Sequence, residues 1–112
     1  MENIKDKIKK YEICIINLLK AHQEHRNDIQ VIVDKENRHY QLVRTISDEQ
    51  KRYYASLLMH FHLREDGVIY LFENRTEEEV ADTLIEQGVS KSDILVGFLP
   101  QSARKYAGYA LA

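Results

Sequence analysis

Tryptophan is missing from this chain of 112 residues, and cysteine and proline occur once each, at Cys14 and Pro100. A lone cysteine excludes an internal disulfide framework and a cysteine-based zinc site. The glycines Gly67, Gly88, Gly97 and Gly108 all lie beyond residue 66, and no Pro-, Gly- or Ser-rich linker breaks the chain. A single domain over residues 1–112 is therefore expected. No apolar run approaches the ~18–20 residues that span a membrane. Lys5, Asp6, Lys7, Lys9, Lys10 and Glu12 interrupt any signal-peptide core, so a cytoplasmic protein without membrane attachment is expected. Basic excess is lacking too: 16 Lys and Arg stand against 18 Asp and Glu, a formal net charge of -2. Proteins that live on DNA phosphates usually carry a basic excess, so direct DNA binding by this chain alone is not the first expectation. The sequence also has no phosphate loop, dinucleotide fingerprint, nucleophile elbow or paired-His zinc motif. No catalytic set can be composed from what remains. The expectation is a non-enzyme with no cofactor and no metal.

What is present has globular composition, 44% apolar and 30% charged. Ile4, Ile8, Tyr11, Ile15, Leu18, Leu19 and His22 recur at spacings of three and four, which predicts a helix over 3–25. From residue 28 the period becomes two. Ile29, Val31 and Val33 form one strand face. Tyr40, Leu42 and Ile46, with Arg44, form the next after a polar turn at 35–38. The pattern then places Tyr53, Ala55, Leu57, Met59, Phe61 and Leu63 on one apolar face, opposite Tyr54, Ser56, Leu58, His60, His62 and Arg64. Asp66-Gly67 is a hairpin signal, and a strand with Tyr70 and Phe72 opposite Ile69 and Leu71 follows it. Thr76-Glu77-Glu78-Glu79 matches a capping box, which predicts a second helix with Val80, Ala81, Leu84 and Ile85 buried and Gly88 at its C′ position. Ile94–Leu99 reads as a short strand ended by Pro100. Residues 101–112 show no period, but their apolar end from Tyr106 to Ala112 suggests a docked tail. The expected fold is α+β: an N-terminal helix, an antiparallel meander of about four strands, a second helix, a short C-terminal strand and the tail.

Few residues suggest chemistry. His60 and His62 point the same way from one strand, with His39 as the one possible companion, short of the three or four ligands zinc needs. They read better as part of a polar sheet face or an interface. His22 and His25, three apart, suit the negative end of the first helix. Cys14, among isoleucines, reads as a buried structural thiol. Charge is segregated. Lys5, Lys7, Lys9 and Lys10 crowd the start of the first helix, and Arg38, Arg44, Lys51 and Arg52 fall near the hairpin ends. Glu77, Glu78, Glu79, Asp82, Glu86 and Asp93 face only Arg75 and Lys91 over residues 75–93. Segregated charge steers association with a complementary partner. Homodimerisation is also expected, because the strand faces and the Tyr-rich end are too apolar for one small chain to cover.

The later part of the chain carries a specific pattern: Ala81-Asp82-x-Leu84, Glu86-x-Gly88-Val89-x-Lys91-x-Asp93-Ile94, Gly97-Phe98-x-Pro100, then Arg104-Lys105-Tyr106-x-Gly108-Tyr109-Ala110-x-Ala112. With Tyr11, the segment His39-Tyr40-Gln41-Leu42 and Asp66-Gly67-x-Ile69, this resembles the XisI family, the excision controlling factor of the cyanobacterial fdxN element. The resemblance implies an accessory, regulatory role in site-specific DNA excision during heterocyst development, alongside an endonuclease-like XisH companion. It carries no catalytic residues. Its candidates for partner contact are Glu77, Glu78, Asp82 and Glu86 from the acidic segment, with Arg104 and Tyr106, which also suit an anchored C-terminal segment. DNA contact would then be indirect. The alternative is direct DNA binding through Lys5, Lys7, Lys9, Lys10, Arg38, Lys51 and Arg52; a small metal-dependent enzyme at His60 and His62 ranks last.

Overall fold

A computed structural model describes residues 3–111; Ala112, the last residue of the C-terminal pattern, lies outside them. Helix α1 (Ile4–Gln23) starts where the Asn3 side chain accepts a hydrogen bond from the Asp6 N–H at 2.9 Å. Its stripe of Tyr11, Cys14, Ile15, Leu18 and Leu19 is buried. The helix ends before the expected residue 25: Glu24 turns extended and His25 takes φ 62, so His22 and His25 do not share a helix face.

Strands β1 (Ile29–Asp34), β2 (His39–Ser47), β3 (Tyr53–Leu63), β4 (Ile69–Asn74) and β5 (Ile94–Val96) form one sheet in the order β1-β2-β3-β4-β5. The first four are antiparallel neighbours. β5 pairs parallel with β4, which is possible because helix α2 (Val80–Glu86) carries the chain back between them. α1 and α2 share one core with the inner face of the sheet, where Tyr40, Leu42, Met59, Phe61, Leu63, Ile69 and Leu71 are buried. The fold is the expected α+β class.

One strand departs from strict alternation. Leu42 pairs with Met59, but Val43 pairs with Leu57, so Leu58 is an extra residue in β3. The bulge exchanges the faces: Tyr53, Ala55 and Leu57 lie on the side of Val43 and Thr45, away from α1. The single apolar face expected from Tyr53 to Leu63 is therefore split. A second bulge at Phe72 separates the pairs Phe61–Leu71 and His60–Glu73.

The pairs Thr45–Ala55, Ile46–Tyr54 and Ser47–Tyr53 lie beyond the last partners that β1 and β4 offer, Ile29 and Asn74. The tip of the β2–β3 hairpin is thus a two-stranded arm. It helps to stretch the molecule to 54 × 30 × 23 Å, with a radius of gyration of 15.0 Å. A compact chain of this length would give about 13 Å.

The capping box does not form. The Asn74 side-chain oxygen takes the Thr76 N–H at 3.0 Å and the Thr76 hydroxyl at 2.7 Å, so α2 begins only at Val80. Its C-terminus follows the expectation: the Val89 N–H donates to Leu84 and the Gly88 N–H to Ile85, both at 3.0 Å, with Gly88 at φ 103 and Val89 buried. Lys91–Asp93 forms a 3-10 turn. The tail contains a further helix, α3 (Gln101–Ala107), none of whose residues is buried, which explains why it has no apolar stripe to read. Beyond it the Ala110 N–H donates to the Ile94 carbonyl at 2.9 Å, so the end of the chain is docked as expected.

Candidate partner-binding site

A groove of about 540 Å³ lies where the β4–α2 loop faces the end of β5 and the C-terminal segment. Its apolar side is built by Leu71, Val80, Val96, Phe98, Leu99 and Tyr109, and its lip by Glu77, Glu78 and Glu79. Asn74 shapes the lip. Besides accepting from Thr76, its amide donates to the Glu78 carbonyl at 3.0 Å, and the Thr76 hydroxyl accepts from the Glu78 N–H at 3.3 Å. These bonds satisfy the loop backbone internally and leave Glu77 and Glu79 exposed.

Glu78 turns inward instead, its carboxylate 3.3 Å from His22 Nε2. Asp82 and Glu86 stand exposed on α2, which has no basic residue. Among the described residues, no cation lies within ion-pair distance of Glu77, Glu79, Asp82 or Glu86. Burial raises the Tyr109 pKa, and the charges of Asp82 and Glu79 push it the same way. Lys91 Nζ stands over the Tyr109 ring, 5.0 Å from its centre. The groove thus combines an apolar interior with a net negative rim.

The far wall depends on Arg104. Its guanidinium donates to the Leu99 carbonyl and, at 2.8 Å, to the Leu111 carbonyl, tying both ends of α3 together. Gly108, at φ 85, makes the turn out of α3. Arg104 therefore anchors the segment, as expected of it. Tyr106 is 96% exposed, so it does not anchor the segment and stands open to solvent. Below the groove, the Tyr11 hydroxyl donates to Asp93 at 2.6 Å and accepts from the Ser90 N–H at 3.3 Å, while Lys7 Nζ sits 2.9 Å from the same Asp93 carboxylate. Burial raises the Tyr11 pKa, and the bond to Asp93 raises that of Lys7. This network joins α1 to the 3-10 turn that leads into β5.

The basic candidates do not gather. Lys5, Lys9 and Lys10 are exposed on α1, whereas Lys7 is engaged by Asp93. Arg38 donates to the Leu63 carbonyl at 2.8 Å and lies 3.9 Å from Glu65. Lys51 and Arg52 sit in the β2–β3 turn, with Arg52 held by Asp48 at 2.7 Å. Arg38 and Lys51 occupy opposite ends of β2, whose nine residues span roughly 30 Å.

His39 joins His60 and His62 on the outer face: His39 Nδ1 is 3.0 Å from His60 Nε2, and the His39 and His62 rings stack at 4.2 Å. Stacked rings cannot aim their nitrogens at one ion, and His62 Nδ1 already faces the Arg38 carbonyl at 3.2 Å. Among the described residues, no group of three His, Cys, Asp or Glu side chains is arranged to hold a metal. Cys14 is buried, and burial raises its thiol pKa. Sequence reasoning located the acids but missed the apolar interior. Phe98, 54% exposed beside Gly97, was the visible signal for it.

Comparison with known proteins gives a consistent result. The family described as XisI protein matches residues 5–111. A solved XisI-like protein from Anabaena variabilis ATCC 29413 is 28% identical, covers 94% of this chain and 99% of its own, and superposes with a TM-score of 0.79. The fdxN element excision controlling factor XisI from the same organism is 22% identical, with a TM-score of 0.78 over 96% of this chain and 100% of its own. No curated protein matches.

Proposed function

The chain belongs to the XisI family, and from that premise we propose that it is a non-catalytic regulatory subunit that docks a companion protein in the acid-lipped groove. The companion is an endonuclease-like, XisH-like protein, and the process is control of a site-specific DNA excision. The observation that carries this reading is the exposed acids Glu77 and Glu79 on the lip of a groove with apolar side chains within, with Asp82 and Glu86 exposed on the adjoining helix α2. A nuclease holds DNA with basic residues. An acidic surface seated on those residues would neutralise them and restrain the companion until it is displaced. The scattering of Lys5, Arg38, Lys51 and Arg52 supports indirect rather than direct contact with DNA.

Co-expression with an XisH-like companion, followed by size exclusion, tests the proposal. The two proteins should elute together at low salt and separate as salt rises, because exposed charge pairs are screened. Separate elution at low salt contradicts it. A gel-shift titration of the isolated chain at low salt should show no shift at micromolar protein.

A further inference from the structure

The outer face of the sheet, opposite α1, is unlike a solvated surface. Its centre is His39, His60, His62, Tyr70 and Phe72, in mutual ring contact across β2, β3 and β4. Formally charged groups border these rings: by register Asp34 stands opposite His39 and Glu73 opposite His60. Asp34 at the end of β1 accepts hydrogen bonds from Asn37, Glu73 in β4 pairs with Arg75 at 3.3 Å, Arg38 donates to the Leu63 carbonyl, and Arg64 lies over the Tyr70 ring at 4.9 Å. In a chain that is 30% charged, an uncharged aromatic patch of this extent has the composition of an interface core.

The bulge at Leu58 continues this face into the hairpin arm. By register, Tyr53, Ala55 and Leu57 extend the side that carries His60 and His62. The arm is ordered, since Asp48 accepts from the N–H groups of Gln50 and Arg52, yet Tyr53 is 79% exposed. A two-stranded ribbon is marginal alone and gains stability by lying on another surface.

We propose that this outer face, arm included, is the interface for a second copy of the chain. A two-fold axis through the face brings each arm, with Tyr53 and Leu57, onto the other copy's His60, His62, Tyr70 and Phe72, so every contact is made twice. The size fits. The residues of β1 to β4, at ~3.3 Å by ~4.8 Å each, cover roughly 500 Å², or about 1,000 Å² for two copies together, the lower bound of a specific interface. A charged partner would find no countercharge at its centre, whereas an identical face presents matching uncharged rings. The inference is independent of the groove.

Burial and the neighbouring imidazoles hold His60 and His62 below their ordinary pKa of 6.5, so both are neutral at pH 7.5 and above. Protonating them places positive charge in the contact beside Arg38 and Arg64, with Asp34 opposite His39 and Glu73, held by Arg75, opposite His60. Light scattering on the eluting untagged protein is the test. At micromolar concentration and neutral pH the wild type should show twice the chain mass. Tyr53→Glu and Phe72→Glu should each show the single-chain mass, with wild-type circular dichroism and a thermal midpoint lowered only to that of the separated chain. The dimer fraction should hold above pH 6.5 and fall as pH drops below it, through the lowered folded-state values. A monomeric wild type overturns the proposal, as does a dimer that survives Tyr53→Glu, a variant too exposed to harm the fold. A dimer indifferent to pH over that range overturns the central placement of the imidazoles.

Discussion

The groove and the outer sheet face are both open surfaces, yet they are built oppositely. The groove is concave, with a rim of exposed carboxylates at Glu77 and Glu79 and aromatic and aliphatic side chains within. The outer face is made of extended strands, with neutral rings at its centre and charged groups bordering them. A charged rim accelerates encounter with an oppositely charged partner and makes the contact salt-sensitive. A neutral aromatic face is steered by nothing and is held by burial, which salt does not weaken. The difference teaches that the two proposed associations would carry separate physical signatures.

The largest expected effect calibrates the comparison by touching neither surface. Phe61→Ala empties the fully buried inner face and should cost about 3–5 kcal/mol in denaturant unfolding. If Phe72→Ala on the outer face costs the monomer as much, the two faces are not distinct in the way described; the expectation is under about 1 kcal/mol. Next, Glu77→Lys with Glu79→Lys should weaken the companion at least about tenfold, or 1.4 kcal/mol, by reversing the rim. Calorimetry at two salt concentrations reads it, and the salt dependence should shrink in the variant. Tyr40→Phe removes the hydroxyl that bonds Glu12 on the inner side and should cost about 1–2 kcal/mol without changing either association.

The smallest effect is the pH dependence of monomer stability, measured on the Phe72→Glu background. Folding lowers the pKa of His60 and His62, so the folded chain binds fewer protons than the unfolded one. The stabilisation is fully present above the ordinary value of 6.5 and is lost as pH falls through the folded-state values. Thermal midpoints should decline over that window, and His60→Gln should flatten the decline. No difference between the two proteins would remove the imidazoles from the account.

The sequence made the inner face legible because a buried stripe imposes a period, as Tyr11, Ile15 and Leu18 do at helical spacing and Tyr40 and Leu42 do at strand spacing. The Gly88-Val89 stop could be read because only certain backbones tolerate φ 103. Three features were hidden for physical reasons. A bulge leaves the alternation of Tyr53 to Leu63 intact in the letters while exchanging faces at Leu58. Thr76 and Glu79 spell a capping box, but Asn74 competes for the Thr76 hydroxyl from outside the motif. Helix α3 buries nothing, so no periodicity marks it. For the site, the acids were visible as a charge run, whereas the interior is assembled from Leu71, Phe98 and Tyr109, remote in sequence.

The most direct test of the two-surface account is the mass of the co-purified complex by light scattering, wild type against Glu77→Lys with Glu79→Lys. The wild type should carry two copies of this chain together with the companion. The variant should lose the companion and keep the mass of two copies. Loss of both associations together, or of neither, would contradict the separation of the groove from the outer face.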